Sequence, residues 1–106
     1  MSHATLYLNG RLEVLTIAEE MRMSHWIYAP KIIDRQSGAV LLDLSGDLWD
    51  LVAVKESPNA ITLIMRKYPG TAPQAELVIS PGQTGGVFNG QTLDLNALMA
   101  ALAAYS

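Results

Sequence analysis

Apolar and polar residues alternate with a period of two over most of this chain, the spacing that sets one side of an extended strand against a core and the other toward water. Residues 5–8 and 11–17 are two such runs separated by Asn9-Gly10. Asn-Gly between short apolar runs is the composition of a type I′ hairpin, whose central residues both take positive φ. Residues 31–34 and 39–44 flank a polar turn at 35–38 that ends in Gly38, which predicts a second hairpin. Beyond Ser45-Gly46, residues 47–55 place Trp49, Leu51 and Ala53 on one side and Leu48, Val52 and Val54 on the other. Residues 60–68 alternate Ile61, Leu63 and Met65 with Thr62, Ile64 and Arg66. Apolar residues on more than one side of both runs predict two neighbouring central strands, covered on both faces. Residues 74–80 read as a further strand, and residues 86–88 and 91–93 flank a second Asn-Gly at Asn89-Gly90, which predicts a last short hairpin.

The period changes at the C-terminal end, where Leu95, Leu98, Met99, Leu102 and Tyr105 recur on one face of a helix. Asp94 precedes them as N-cap, and the alanines at 97, 100, 101, 103 and 104 are strong helix formers. The pattern predicts a mainly β (α+β) chain: an antiparallel meander of hairpins with about six to eight strands, closed by a C-terminal amphipathic helix over about residues 95–105 packed on the sheet. Its length of 106 residues fits a single domain, 1–106.

Residues 17–24 support two readings. Thr16-Ile-Ala-Glu19 has the spacing of a helix capping box, which would start a short helix through Met23. Against it, Met21, Met23 and His25 alternate with Arg22 and Ser24 and lead into the strand-like Trp26-Ile-Tyr28. Pro30 keeps Ala29 out of the helical region, so any helix ends before it. Pro69-Gly-Thr-Ala-Pro73 is a loop by composition.

Composition narrows the chemistry. The chain has no cysteine, which excludes disulfides and thiolate metal sites and fits a reducing compartment. The first residues lack a basic segment followed by an apolar one, and no apolar run approaches the ~18 residues of a membrane span, so a cytoplasmic protein without a membrane partner is expected. Half of the residues are hydrophobic but only 16% are charged, against ~25% in ordinary soluble domains. A composition this low in charge implies either a two-sided core that takes up many apolar residues, or apolar area covered by a second chain, a protein partner or another copy. The net charge of −3, with scattered basic residues, argues against nucleic acid as a partner.

No catalytic, cofactor or metal constellation emerges. His3 and His25 have no partner at ligand spacing, no serine sits in a G-x-S-x-G elbow, and the glycines between Gly82 and Gly90 lack the Lys-Ser/Thr of a phosphate loop. Two regions qualify instead as protein-contact candidates. Asp43, Asp47 and Asp50 surround Trp49, and an aromatic among carboxylates is suited to gripping a basic surface. The plainer reading is a turn capped by Asp47 with solvated acids at Asp43 and Asp50. His25, Trp26 and Tyr28 form the second region, as an exposed aromatic patch or as the polar-tipped edge of a core.

Trp26-Ile-Tyr-Ala-Pro-Lys-Ile-Ile-Asp34, Ser37-Gly-Ala-Val-Leu-Leu-Asp43, Leu48-Trp-Asp50 and Met65-Arg-Lys-Tyr-Pro-Gly70, taken in order, resemble small stand-alone bacterial β-sheet proteins of the toxin-immunity type. The resemblance covers roughly residues 20–70. It implies a non-enzymatic binding module that neutralises a basic toxin through charge and shape. The alternatives are a homo-oligomeric structural or scaffold protein, and a small-ligand carrier or compact enzyme whose pocket lies between sheet and helix and is lined by His25, Tyr28 or Trp49.

Overall fold

Every predicted hairpin is present in the computed structural model, which describes residues 2–21, 25–68, 73–83 and 85–105. The described residues form nine strands: β1 (Ser2–Tyr7), β2 (Leu12–Glu20), β3 (Trp26–Asp34), β4 (Val40–Asp43), β5 (Trp49–Glu56), β6 (Ile61–Lys67), β7 (Ala75–Ile79), β8 (Gly86–Phe88) and β9 (Gln91–Leu93), followed by helix α1 (Leu95–Ala104). The architecture is mainly β, as expected, but it consists of two antiparallel meanders, β1-β2-β3-β4 and β5-β6-β7-β8-β9. The turn at residues 45–48 separates them, with Gly46 at φ 82 and Leu48 at φ 64 carrying the chain from one sheet to the other.

Turn chemistry fixes the registers. Asn9 and Gly10 take φ 56 and 83, and the Arg11 N–H closes the turn on the Leu8 carbonyl at 3.1 Å. Asn89 and Gly90 repeat this with φ 49 and 86. Gly85, at φ 81, has no room for a Cβ, which would strike the Leu93 carbonyl. The Thr16–Glu19 segment is strand, not helix, since β2 pairs with β3 without interruption from Leu12 to Glu20. Glu19 does not cap its own backbone; its carboxylate accepts the N–H of Gly46 at 2.8 Å. The remainder of the helical alternative, at residues 22–24, lies outside the described residues, as do residues 69–72 of the proline-rich loop.

The central position expected for the two long apolar strands holds only for β6, which pairs with both β5 and β7. β5 ends its sheet. A register shift between Leu51 and Ala53 breaks its alternation: Val52 is left 49% exposed, Ala53 turns outward, and Val54 turns to pack against the core, so the two sides exchange partway along the strand.

One core joins the two sheets. Leu12, Val14, Ile32, Leu42 and Leu44 from the first meet Trp49, Ile61, Leu63, Met65, Leu77, Ile79 and Phe88 from the second. α1 contributes Leu98 and Leu102 to the same cluster, and the Asp94 carboxylate caps it by accepting the Ala97 N–H at 2.8 Å. Leu95, by contrast, is 38% exposed. α1 is not long and apolar enough to cross a membrane.

Asp34, at the end of β3, is the one buried charged residue among those described, and it is fully engaged. Its carboxylate accepts from Arg11 Nε at 3.2 Å and from the backbone N–H groups of Gln36 (3.0 Å) and Gly82 (3.2 Å). The last bond ties the first sheet to the β7–β8 loop. The Arg11 guanidinium first, and then these N–H groups, outweigh burial and hold the Asp34 carboxyl below its ordinary value of 3.8. A pKa lower in the folded than in the unfolded chain gives stability that is complete above the ordinary carboxyl range and is lost as pH falls toward the folded pKa. Asp34→Asn, which points an amide at donors, is therefore expected to lower the urea midpoint near pH 7, with the gap to the parent chain narrowing by about pH 3. A constant gap across that range would contradict the assignment.

Candidate functional site

The two sequence regions singled out for protein contact meet in the structure. β3 carries Trp26 and Tyr28 two residues apart, hence on the same side of the strand. On this edge of β3 the Pro30 carbonyl accepts the N–H of Leu44 at 3.0 Å, and there β4 ends. Proline is tolerated because its missing N–H falls beyond the ladder. The next outward donor, the Tyr28 N–H, is taken by the Asp50 carboxylate of β5 at 2.9 Å. This bond seals the seam where β3 and β5 run alongside one another and brings Asp50 beside the aromatic pair.

The alternation along β3 places Trp26 and Tyr28 on the side that, farther on, carries the core residue Ile32. At the Ile32 end this side is buried; at the Trp26 end it is open, with Trp26 46% and Tyr28 47% exposed. The opposite side is closed there, since Ile27 and Ala29 are fully buried. β2 supplies the facing residues: Glu20 lies opposite Trp26, and Ala18 opposite Tyr28. Directly opposed residues share a face, so Glu20 and Ala18 border the aromatics.

Carboxylates dominate the surroundings. Glu20 is exposed, Glu19 holds the turn that contains Asp47, and Asp50 is paired with Arg66 at 3.4 Å. Glu20 and Asp50 are thus the carboxylates that border the aromatics, whereas Glu19 lies on the opposite face of β2 and Asp47 lines the cleft beside α1 together with Lys67. His25 is exposed and stacks on Tyr68 with ring centres 5.0 Å apart, which extends the aromatic surface onto the second sheet.

Trp49 does not belong to this surface. It is fully buried, stacked on Tyr105 at 5.6 Å and edge-on to Phe88 at 6.4 Å, with the Lys67 ammonium 4.9 Å from its ring centre. Its neighbours in sequence are acidic, but its side chain points along the core-facing side of β5. Asp43 also has another role than expected. It, not Asp47, caps the turn, accepting the Ser45 hydroxyl at 2.6 Å and the Ser45 N–H at 3.0 Å. These two bonds, led by the hydroxyl, and the charge of Lys31 keep its pKa low. The reason is position: Asp43 ends β4, and an Asx side chain caps the N–H two residues ahead. Asp47 is left exposed.

The expected pocket lined by His25, Tyr28 or Trp49 is only partly assembled. A cleft of about 280 Å³ between α1 and the sheet is lined by Trp49, Lys67, Leu44, Met99 and Leu102, without His25 or Tyr28. The Trp49 indole N–H has no acceptor in the structure. A wider groove of about 490 Å³ lies at the opposite end, among Leu8, Arg11, Pro58, Asn59 and Ser80. No group of three or more His, Asp or Glu side chains among the described residues is placed to hold a metal ion.

Comparison with known families, curated proteins and solved structures returned no match, so the site rests on its own geometry.

The two tryptophans differ enough in exposure to be told apart in solution. Acrylamide should quench Trp26 strongly and Trp49 weakly, and Trp26→Phe should abolish the quenchable fraction. Strong quenching that survives the substitution would place Trp49 at the surface and refute its burial.

Proposed function

We propose that this chain is a non-enzymatic protein-binding module of immunity type, and that its contact surface is the open end of β2 and β3 centred on Trp26 and Tyr28. The observation that carries the reading is the pair of half-exposed aromatics on the uncovered continuation of a core-lining face. Large aromatics fixed on strands bind at a low entropic cost, because a partner immobilises few additional rotors. The bordering carboxylates, Glu20 opposite Trp26 and Asp50 on the Tyr28 N–H, favour a partner of positive potential. A basic toxin surface is the kind of partner that the immunity-type resemblance implies. Asp50 has a second duty, since its bond to the Tyr28 N–H holds β3 at the distance from β5 that presents Tyr28.

The test is capture from the native host with the parent chain and with Trp26→Ala/Tyr28→Ala. The parent should retain a basic protein that elutes with rising salt, and each aromatic truncation should cost about 2 kcal/mol of binding, as at interface hot spots. Retention of the same protein by the double variant, or a captured partner that is acidic and salt-insensitive, would sink the proposal.

A further inference from the structure

Among the described residues β1 is an edge of the first sheet, and the bonding pattern of that sheet shows which of its backbone groups point outward. On β3, the Pro30 carbonyl and the Asp34 N–H both bond toward the β4 side, to Leu44 and Ala39. Even-numbered residues of β3 therefore turn to β4 and odd-numbered ones to β2, as alternation requires. The β2–β3 register carries this across, since Ile27, Ala29, Lys31 and Ile33 face Glu19, Ile17, Leu15 and Glu13. The remaining β2 residues, Leu12, Val14 and Thr16, turn to β1, where they meet Tyr7, Thr5 and His3. The backbone N–H and C=O groups of Ser2, Ala4 and Leu6 consequently point away from the sheet, with no described strand beyond them.

Sheet edges are normally blunted by a charge, a proline, a bulge or shortness. β1 itself has none of these between Ser2 and Tyr7; just beyond it the Glu56 carboxylate of β5 accepts the Leu8 N–H and ends the open edge there. Its sequence is Ser-His-Ala-Thr-Leu-Tyr, its register is unbroken from Ser2 to Tyr7, and the side chains of His3, Ala4, Thr5 and Leu6 are exposed, so neither face hinders approach. The other edges among the described residues are protected: β4 has four residues and a register shift, β5 lies along β3, and β9 has three residues and runs into α1.

We infer that β1 pairs antiparallel with β1 of a second copy of this chain about a two-fold axis at Ala4. In that register Ala4 faces Ala4 and Ser2 faces Leu6, and each facing pair exchanges both of its N–H···O bonds. The outward groups are used without remainder. His3 falls opposite Thr5, so no charge meets a like charge across the axis. A second copy is the occupant because the edge matches itself about a two-fold over Ser2–Leu6, where it carries no charged side chain to select a different strand, and because the Glu56 carboxylate on the Leu8 N–H stops a longer strand from pairing past that register. The two first sheets become one continuous sheet, and Trp26 and Tyr28, two strands away, stay open. The inference is independent of the proposed binding function.

Light scattering on the full chain over micromolar concentrations should give twice the 11.5 kDa chain mass. Ala4→Pro removes an outward N–H and leaves the bonds to β2 intact, so it should return the single-chain mass with an unchanged circular dichroism spectrum. Leu6→Lys, which charges the edge, should also dissociate the pair and remains informative if the proline variant misfolds. A parent chain that stays at single mass throughout, or a dimer that persists in both folded variants, would overturn the inference.

Discussion

The structure depends on apolar contact between two sheets of unequal reach. β2 and β3 each run for nine residues, whereas β6 and β7, which supply most of the opposing core face, run for seven and five. At ~3.4 Å per residue, a difference of two to four residues leaves about 7–14 Å of the first sheet beyond the cover of the second. Ile32 and Val14 fall under the cover; Tyr28 and Trp26 fall past it. The candidate surface is therefore the same apolar face that builds the core, continued to where no other described residue buries it.

Polar groups set the junction between the sheets, and each sits where a ladder would otherwise leave a backbone donor unsatisfied. Asp50 takes the Tyr28 N–H at the β3–β5 seam, Asp34 takes the Gly82 N–H, and Glu19 takes the N–H of Gly46 in the turn between the sheets. Only the Asp34–Gly82 bond is part-buried, so it carries most of the cost of an unpaired donor; the bonds to Tyr28 and Gly46 lie at the surface and fix the placement of the sheets by geometry more than by energy. That is also why much of the chain's modest charge is internal business. Asp34 and Asp43 serve neighbouring backbone and hydroxyl donors, and Asp50 is shared between structure and surface.

The fold was largely legible because local chemistry specified it. Asn9-Gly10 and Asn89-Gly90 both form turns with positive φ at each central residue, and Asp94 caps the helix that follows it. Less legible was everything set by contacts distant in sequence. Alternation counts apolar positions but not what lies opposite them, so β5 looked central, although the shift at Val52 and its place at the sheet's end expose one side. Trp49 looked like part of an acidic surface for the same reason: its carboxylate neighbours lie along the chain, whereas Tyr105 and Phe88, which bury it, are distant in sequence. His25, Trp26 and Tyr28 were visible as a cluster. Their neighbours Glu20 and Ala18 were not, because the turn between β2 and β3 carries no Asn-Gly or Pro-Gly to fix the register.

The unequal reach of the sheets can be tested most directly by truncating one residue on each side of the boundary and measuring urea unfolding of the isolated chain. Leu63→Ala, beneath the cover, is expected to cost about 2–5 kcal/mol, and Tyr28→Ala, beyond it, about 1 kcal/mol or less. Equal losses for the two would mean that Tyr28 is buried in solution, and that the first sheet does not extend past the second.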